Sequence, residues 1–227
     1  MTTWKKAPLG ESVQVQGGYA FKSKDFTDVG VPVVRMSNIK DGKLSFAEAK
    51  YLPWDFMESH RKFLLECGDL ILGMSGSIEN FAVVKEHDLP ALLNQRVGRF
   101  VVQDREKMNH SFLSYVITSR PFKHDVMLHA AGAAQLNISA KQLESIDIPY
   151  PPLAEQQKIA DILTSVDDNI EKTEAIIDQT DDLKKGLMQD LLTKGIGHTK
   201  FKQTAIGEIP AAWEVVTIED YLKEYRG

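Results

Sequence analysis

Cysteine is nearly absent: Cys67 is the only one in 227 residues. One thiol excludes an internal disulfide and a zinc site built on cysteines. It lies in an apolar stretch, Phe63-Leu-Leu-Glu-Cys-Gly-Asp-Leu-Ile-Leu72, and is expected to be an inert core thiol. No apolar run reaches the roughly 18 residues of a membrane span. The opening MTTWKKAPLG has no apolar core of the signal-peptide kind. A cytoplasmic protein with no membrane partner is the expectation.

Catalytic signatures are missing as well. Gly73-Met-Ser-Gly-Ser77 approaches a nucleophile elbow but ends on serine where glycine is needed. Neither a phosphate-binding G-x-x-x-x-G-K-[ST] loop nor a dinucleotide G-x-G-x-x-G occurs. Tyr150-Pro-Pro-Leu153 is wrong at both ends for the motif of a DNA amino-methyltransferase. No H-E-x-x-H occurs among the six histidines, and His124 and His129 are five apart, off-face for helical zinc ligation. Glu48-Ala-Lys50 matches half of a nuclease set, but such triplets are mostly surface charge. No catalytic residue, metal or bound cofactor is expected.

What is present is a long uninterrupted stretch from Leu153 to Lys194. It opens after Pro149-Tyr-Pro-Pro152, closes before Gly195 and Gly197, and contains one glycine, Gly186. Proline before and glycine after punctuate a helix. Apolar residues recur at Ile159, Leu163, Val166, Ile170, Ile177, Leu187 and Leu191 in steps of 4 and 3, with Thr173, Thr180 and Lys184 in the remaining slots. With Ile159 as d, the a positions are Leu163, Ile170, Ile177, Lys184 and Leu191, a heptad seam. Such a helix is roughly 60 Å long. A small domain cannot cover it, so a second helix is expected beside it. The plainer reading is an amphipathic helix packed on its own domain, but 40 unbroken residues are long for that.

The net charge of −5 is unevenly spread. Residues 1–150 carry 18 Lys and Arg against 17 Asp and Glu; residues 151–227 carry 9 against 15. The acidic helix repels phosphate and points to protein or solvent. Its face of Asp167, Asp168, Glu171, Glu174 and Asp178 could meet a partner subunit, although such runs are usually solvated. The first part is near neutral and bears no basic footprint.

Residues 1–150 read as a mixed α+β domain. Strands are expected at Ser12–Gln16, Val31–Met36 (with Pro32 near a sheet edge), Leu70–Leu72, Phe81–Val84, Val97–Val102 and Ile146–Ile148. Asp41-Gly42 predicts a hairpin turn. Helices are expected over Pro53–Glu66, after an Asn109 cap, and over Pro121–His129, with a small-residue loop at Ala130–Ala134. The fold class is thus α+β, a globular domain followed by a long coiled-coil-forming helix. Three segments result: 1–150, 151–197 and 198–227. The last echoes the start. Trp4-x4-Leu9-x-Glu11-x-Val13 matches Trp213-x4-Ile218-x-Asp220-x-Leu222, as if a repeat unit began again and was cut short.

An ordered set of motifs then carries a resemblance. They are Gly18-Tyr-Ala-Phe-Lys-Ser-Lys-Asp-Phe26, Val33-Val-Arg-Met-Ser-Asn-Ile39, Gly68-Asp-Leu-Ile-Leu72 with Ser75-Gly-Ser77, Leu93-Asn-Gln-Arg-Val-Gly98 and Gly132-Ala-Ala-Gln-Leu-Asn-Ile-Ser139. The most specific runs from Ile148-Pro-Tyr-Pro-Pro-Leu-Ala-Glu-Gln-Gln to Leu163, followed by Val166-Asp167 and Ile170. In these the chain resembles the specificity subunit of type I restriction–modification enzymes. Gly207-Glu-Ile-Pro-Ala-Ala-Trp213 is similar to that family's entry into a second target-recognition domain.

The resemblance implies two target-recognition domains held apart by two antiparallel helices, each reading half of a split site on double-stranded DNA. Methyltransferase subunits carry S-adenosylmethionine and flip the adenine; an ATP-driven restriction subunit translocates and cuts. The specificity subunit is itself non-catalytic. This chain departs in having one recognition domain, as a natural half-subunit or an N-terminal fragment would; with its unpaired heptad face, a homodimer reading a symmetric site is expected.

Candidate DNA contacts follow from residue chemistry. Arg pairs bidentately with guanine and Asn or Gln with adenine, while Lys and Ser take phosphates. Lys22, Lys24, Arg35, Ser37, Asn38, Ser75, Ser77, Gln95, Arg96, Gln135 and Asn137 make that set; Gly76 and Gly132 are expected to serve turns. A rival from another class is a coiled-coil adaptor whose globular domain binds protein.

Overall fold

The computed structural model describes residues 4–40, 42–76, 78, 80–130 and 136–224. The chain divides into two compact units, 1–164 and 165–227.

The first unit is mixed α and β, as expected. Its main sheet runs in the order Val13–Gly17, Val97–Val102, Leu70–Gly73, Phe81–Val83, antiparallel throughout. Leu70–Gly73 is buried along its whole length. A smaller sheet sets Val31–Val34 between Lys50–Leu52, antiparallel, and Leu92–Leu93, parallel. Pro32 is therefore on a central strand, not near an edge. The ring is tolerated because the two-residue Leu92–Leu93 partner reaches only Val33 and Val34.

Two helices, His110–Thr118 and Arg120–Ala130, bury Phe112, Leu113, Ile117, Phe122 and Val126 in a core with Leu9, Val13, Leu70, Leu72 and Phe100. Each such side chain contributes about 1.5–3 kcal/mol relative to leaving it in water. Asn109 caps the first, its Oδ1 accepting from Phe112 N at 2.8 Å. Where a hairpin turn was expected, Ile39–Lys40 pairs antiparallel with Lys43–Leu44 and Gly42 takes φ +81°, while Asp41 lies outside the described residues. The small-residue loop lies outside the described residues beyond Ala130, which ends its helix.

The helix expected over Pro53–Glu66 shrinks to Phe56–Ser59 and a single 3-10 turn, Arg61–Phe63. His60, at φ −123° and ψ 30°, leaves helical geometry between them. The break stacks its ring on Phe56 at 5.2 Å and sets it edge-on to Tyr19 at 4.6 Å. Cys67 is exposed, which corrects the expectation of a core thiol. Leu65 and Leu70 take the core positions around it, and Cys67 rides the turn that joins them.

A strand not foreseen, Lys5–Pro8, pairs antiparallel with Asp147–Tyr150. This ladder closes the unit where the polyproline joint begins. The helix Leu153–Lys194 starts there, with Glu155 and Gln156 donating to Pro152 O. It stops where Gly195, at φ +66°, donates to Leu191 O. Gln156 and Ala160 are buried and Ile159 packs on the core, which is why the first unit extends to Thr164. From Asp161 to Lys194 every side chain is exposed, Val166, Ile170, Ile177, Leu187 and Leu191 each by about half.

Within the second unit, Phe201–Thr204 and Gly207–Pro210 form a hairpin, and Thr217 caps the helix Ile218–Glu224. The echoed segments differ locally: Ile218 and Leu222 lie on that helix, whereas Leu9 opens a 3-10 turn and Val13 a strand.

Candidate nucleic-acid interface

Three loops meet at one end of the main sheet. Met74 N donates to Arg96 O at 2.9 Å, Ile138 N to Met74 O at 3.0 Å, and Gly76 N to Leu136 O at 2.9 Å. Ser75 and Asn137 thereby face each other in an isolated antiparallel bridge. Arg96 Nη1 approaches Ser75 Oγ at 3.5 Å. So Ser75, Arg96 and Asn137, distant in sequence, become neighbours. Arg96 and Asn137 are exposed, while Ser75 is buried beneath them.

Backbone bonds attach further elements. Gln95 N donates to Tyr19 O and Tyr19 N to Leu93 O, both at 2.9 Å. Gly18 makes that approach possible: a Cβ there would meet Leu93 O at 2.2 Å. Gln95 is exposed beside the half-exposed ring of Tyr19. Asn94 N donates to Val34 O, which ties the Arg35–Asn38 turn to the same end.

In that turn the predicted residues separate. Ser37 is exposed. Asn38 is buried, its Oδ1 accepting from Arg35 N and its Nδ2 donating to Ser45 O. It holds the turn rather than projecting from it, which corrects its place among residues reaching out to DNA. Arg35 is half-buried and leans towards Glu48 O. Lys22 and Lys24 are exposed on the separate turn Ser23–Asp25, which shares none of these bonds. Ser77 and Gln135 lie outside the described residues, as does Gly132.

Several supports were not singled out from sequence. Arg99 binds Asp69 Oδ2 and Leu64 O at 2.9 Å, Gln16 Oε1 at 2.9 Å and Lys62 O at 3.1 Å, pinning three segments to the sheet. Lys123 Nζ sits 4.3 Å from the centre of the Phe81 ring. Gln156 is fully buried: Oε1 accepts from Asn109 N at 2.9 Å, and Nε2 donates to Lys107 O and Pro151 O at 2.8 and 2.9 Å. Trp4 Nε1 donates to Glu155 Oε1 at 3.2 Å. The sequence signal for Gln156 was the Leu153-Ala-Glu-Gln-Gln157 motif, and Trp4 stood out only through its echo at Trp213.

The charges near this joint are locally paired. The Lys107 ammonium lowers the Asp104 carboxyl below its ordinary range, and Asp104 in turn raises Lys107. Burial raises the Tyr150 phenol despite its bond with Ser12. Among the described residues there is no group of histidine, cysteine or carboxylates fit for a metal, and no helix long and apolar enough to cross a membrane.

This arrangement can present an Arg, a Gln and an Asn from a rigid sheet end, the residue types that read base edges. Comparison with known proteins gives the same direction. Residues 1–180 match the family described as the type I restriction modification DNA specificity domain. The MjaVIII type I restriction enzyme specificity subunit of Methanocaldococcus jannaschii is 34% identical over 194 residues, 84% of this chain and 45% of that protein. The same organism's MjaX specificity subunit, a putative type I restriction enzyme subunit, is 32% identical over 99% of this chain and 54% of its own length. This chain thus spans about half the length of these relatives. The crystal structure of a type I restriction–modification S subunit from M. genitalium superposes with a TM-score of 0.59 at 17% identity, covering 83% of this chain and 46% of that one. At that identity the likeness is one of fold. With its β-rich domain and the long helix from Leu153, the chain belongs to the type I restriction–modification DNA specificity family.

Proposed function

We propose that this chain is the sequence-reading, non-catalytic subunit of a type I restriction–modification complex. Its first unit binds one half of a split site on double-stranded DNA. Arg96, Gln95 and Asn137 address base edges; Lys22, Lys24 and Ser37 take phosphates, and Ser77 and Gln135 complete the set. Its long helix pairs antiparallel with that of a second copy through Leu163, Val166, Ile170, Ile177, Leu187 and Leu191, holding two reading heads a fixed distance apart. Methyltransferase subunits with S-adenosylmethionine, and an ATP-using restriction subunit, dock on this frame.

The observation that carries the reading is the joining of the Ser75, Arg96 and Asn137 loops on one rigid sheet end, in a chain of this family. The exposed seam supports the pairing, because so many apolar side chains left in water are costly. The test is co-expression with a cognate methyltransferase subunit, followed by sequencing of methylated adenines. A split, symmetric motif is expected. No methylation with a competent partner would overturn the assignment.

A further inference from the structure

The first unit carries an apolar groove of about 360 Å³ at the base of the long helix. Phe112, Tyr115, Pro149 and Ile159 line it, Trp4 stands at its edge, and the carboxylates of Asp125 and Asp147 are on its rim. We infer that this groove receives the distal end of a second copy's long helix: Leu191 and Leu192, with Ile196 just beyond. The inference rests on the helix pairing proposed above and adds a second contact surface to it.

The seam supplies the geometry. In an antiparallel pair an a residue of one helix faces a d residue of the other. One register satisfies this along the whole stripe. It sets Leu163 against Leu187, Val166 against Lys184, Ile170 against Thr180 and Ile159 against Leu191. A parallel pair would instead set Lys184 against Lys184, two like charges at one core layer. In the antiparallel register the lysine stem lies over Val166 and its ammonium reaches water. Ile159 is both a seam residue and a wall of the groove, so the residue facing it arrives at the groove mouth.

What arrives is apolar and exposed: Leu191 by 47%, Leu192 by 70% and Ile196 by 84%. The charges match as well. Lys194, at the helix end, already pairs with Asp190 at 2.7 Å, which leaves Lys200 and Lys202 behind it to meet Asp125 and Asp147, which line the groove together with Lys6. The protein's own helix cannot serve both roles. Ile159 and Leu191 are about nine turns apart on one continuous helix, so any contact between them joins two copies. Seating the helix end in the groove clamps the domain of one copy to the spacer of the other, which fixes the angle between the reading heads.

Disulfide trapping in a Cys67→Ser background separates this claim from the pairing itself. Ile159→Cys with Leu191→Cys reports the antiparallel register. Trp4→Cys with Ile196→Cys reports the groove, since Trp4 lies outside the long helix and binds Glu155, the level at which this register sets Ile196. Both double variants are expected to yield a covalent dimer under mild oxidation, and each single variant to yield none. Ile196→Asp should loosen the dimer roughly tenfold by sedimentation, through lost apolar burial. If the first pair links and the second does not, and Ile196→Asp leaves dimerisation unchanged, the groove contact is wrong and the pairing stands. If neither pair links and the protein sediments as a monomer at tens of micromolar, both fall.

Discussion

Replacing Gln156 with alanine should uncouple the long helix from the domain it springs from. Its side chain is fully buried and its amide makes three bonds, to Asn109 N, Lys107 O and Pro151 O. Truncation strands one buried donor and two acceptors. Each unsatisfied group costs about 1–3 kcal/mol. Relaxation and water entry recover part of this, so the expected loss is about 3–5 kcal/mol, a large fraction of the ~5–15 kcal/mol that holds a domain together. Gln157 is the internal control: it is exposed, and its bonds to Asn109 Nδ2 and Asp161 are at the surface. Gln157→Ala should cost no more than about 0.5 kcal/mol. Gln156→Glu keeps the size but turns the donor into a charged acceptor facing two carbonyl oxygens, and should be at least as damaging as alanine at neutral pH. Urea unfolding followed by circular dichroism measures all three. A Gln156→Ala loss below about 1 kcal/mol, or one equal to that of Gln157→Ala, would refute the reasoning.

Other expectations follow from the same geometry. Gly18→Ala places a methyl 2.2 Å from Leu93 O and 2.4 Å from Asn94 O, so the backbone must part; a loss of about 3 kcal/mol in thermal melting is expected. Arg96→Ala should relax methylation specificity at one base of the half-site, by about 1–3 kcal/mol of discrimination. Lys22→Ala should weaken binding across sequences and reduce the salt slope by about 1. Both are read by methylome sequencing and salt-dependent binding in the assembled complex. Tyr150 should ionise above the ordinary tyrosine range in an ultraviolet titration. Its folded-state pKa is raised by burial, so its contribution to stability is complete below the unfolded value of about 10 and is lost as pH rises through the folded value.

Periodic and punctuated features were legible from residues alone. The long helix, its proline entry and its glycine stop needed only the spacing of Ile159 to Leu191 and the placing of Pro152 and Gly195. The Asn109 cap is local chemistry and the structure has it, and the strands that flank the expected turn at Gly42 pair antiparallel. Features that depend on distant partners were not legible. Lys5–Pro8 has no strand signature of its own; it exists because Asp147–Tyr150 lies beside it. His60 fits a helical stripe, yet the aromatic rings around it draw the chain out of the helix. Asn38 reads as a base-reading amide and is instead consumed by its own turn. Convergence of Ser75 with Asn137 spans 62 positions, and no pattern of spacing encodes it. Ile159 looked like one more seam residue, and the structure packs it on the domain core as well.

The lone thiol has a practical consequence. Cys67 is open to reagents, and the turn that carries it is stiffened by the pair Asp69–Arg99 at 2.9 Å and by Gly68 N donating to Val84 O at 2.8 Å. A spin label or dye therefore attaches at one defined point on this chain, with no engineered cysteine. In a complex of two copies, the separation of two such labels would act as a molecular caliper across the gap between half-sites, with and without bound DNA.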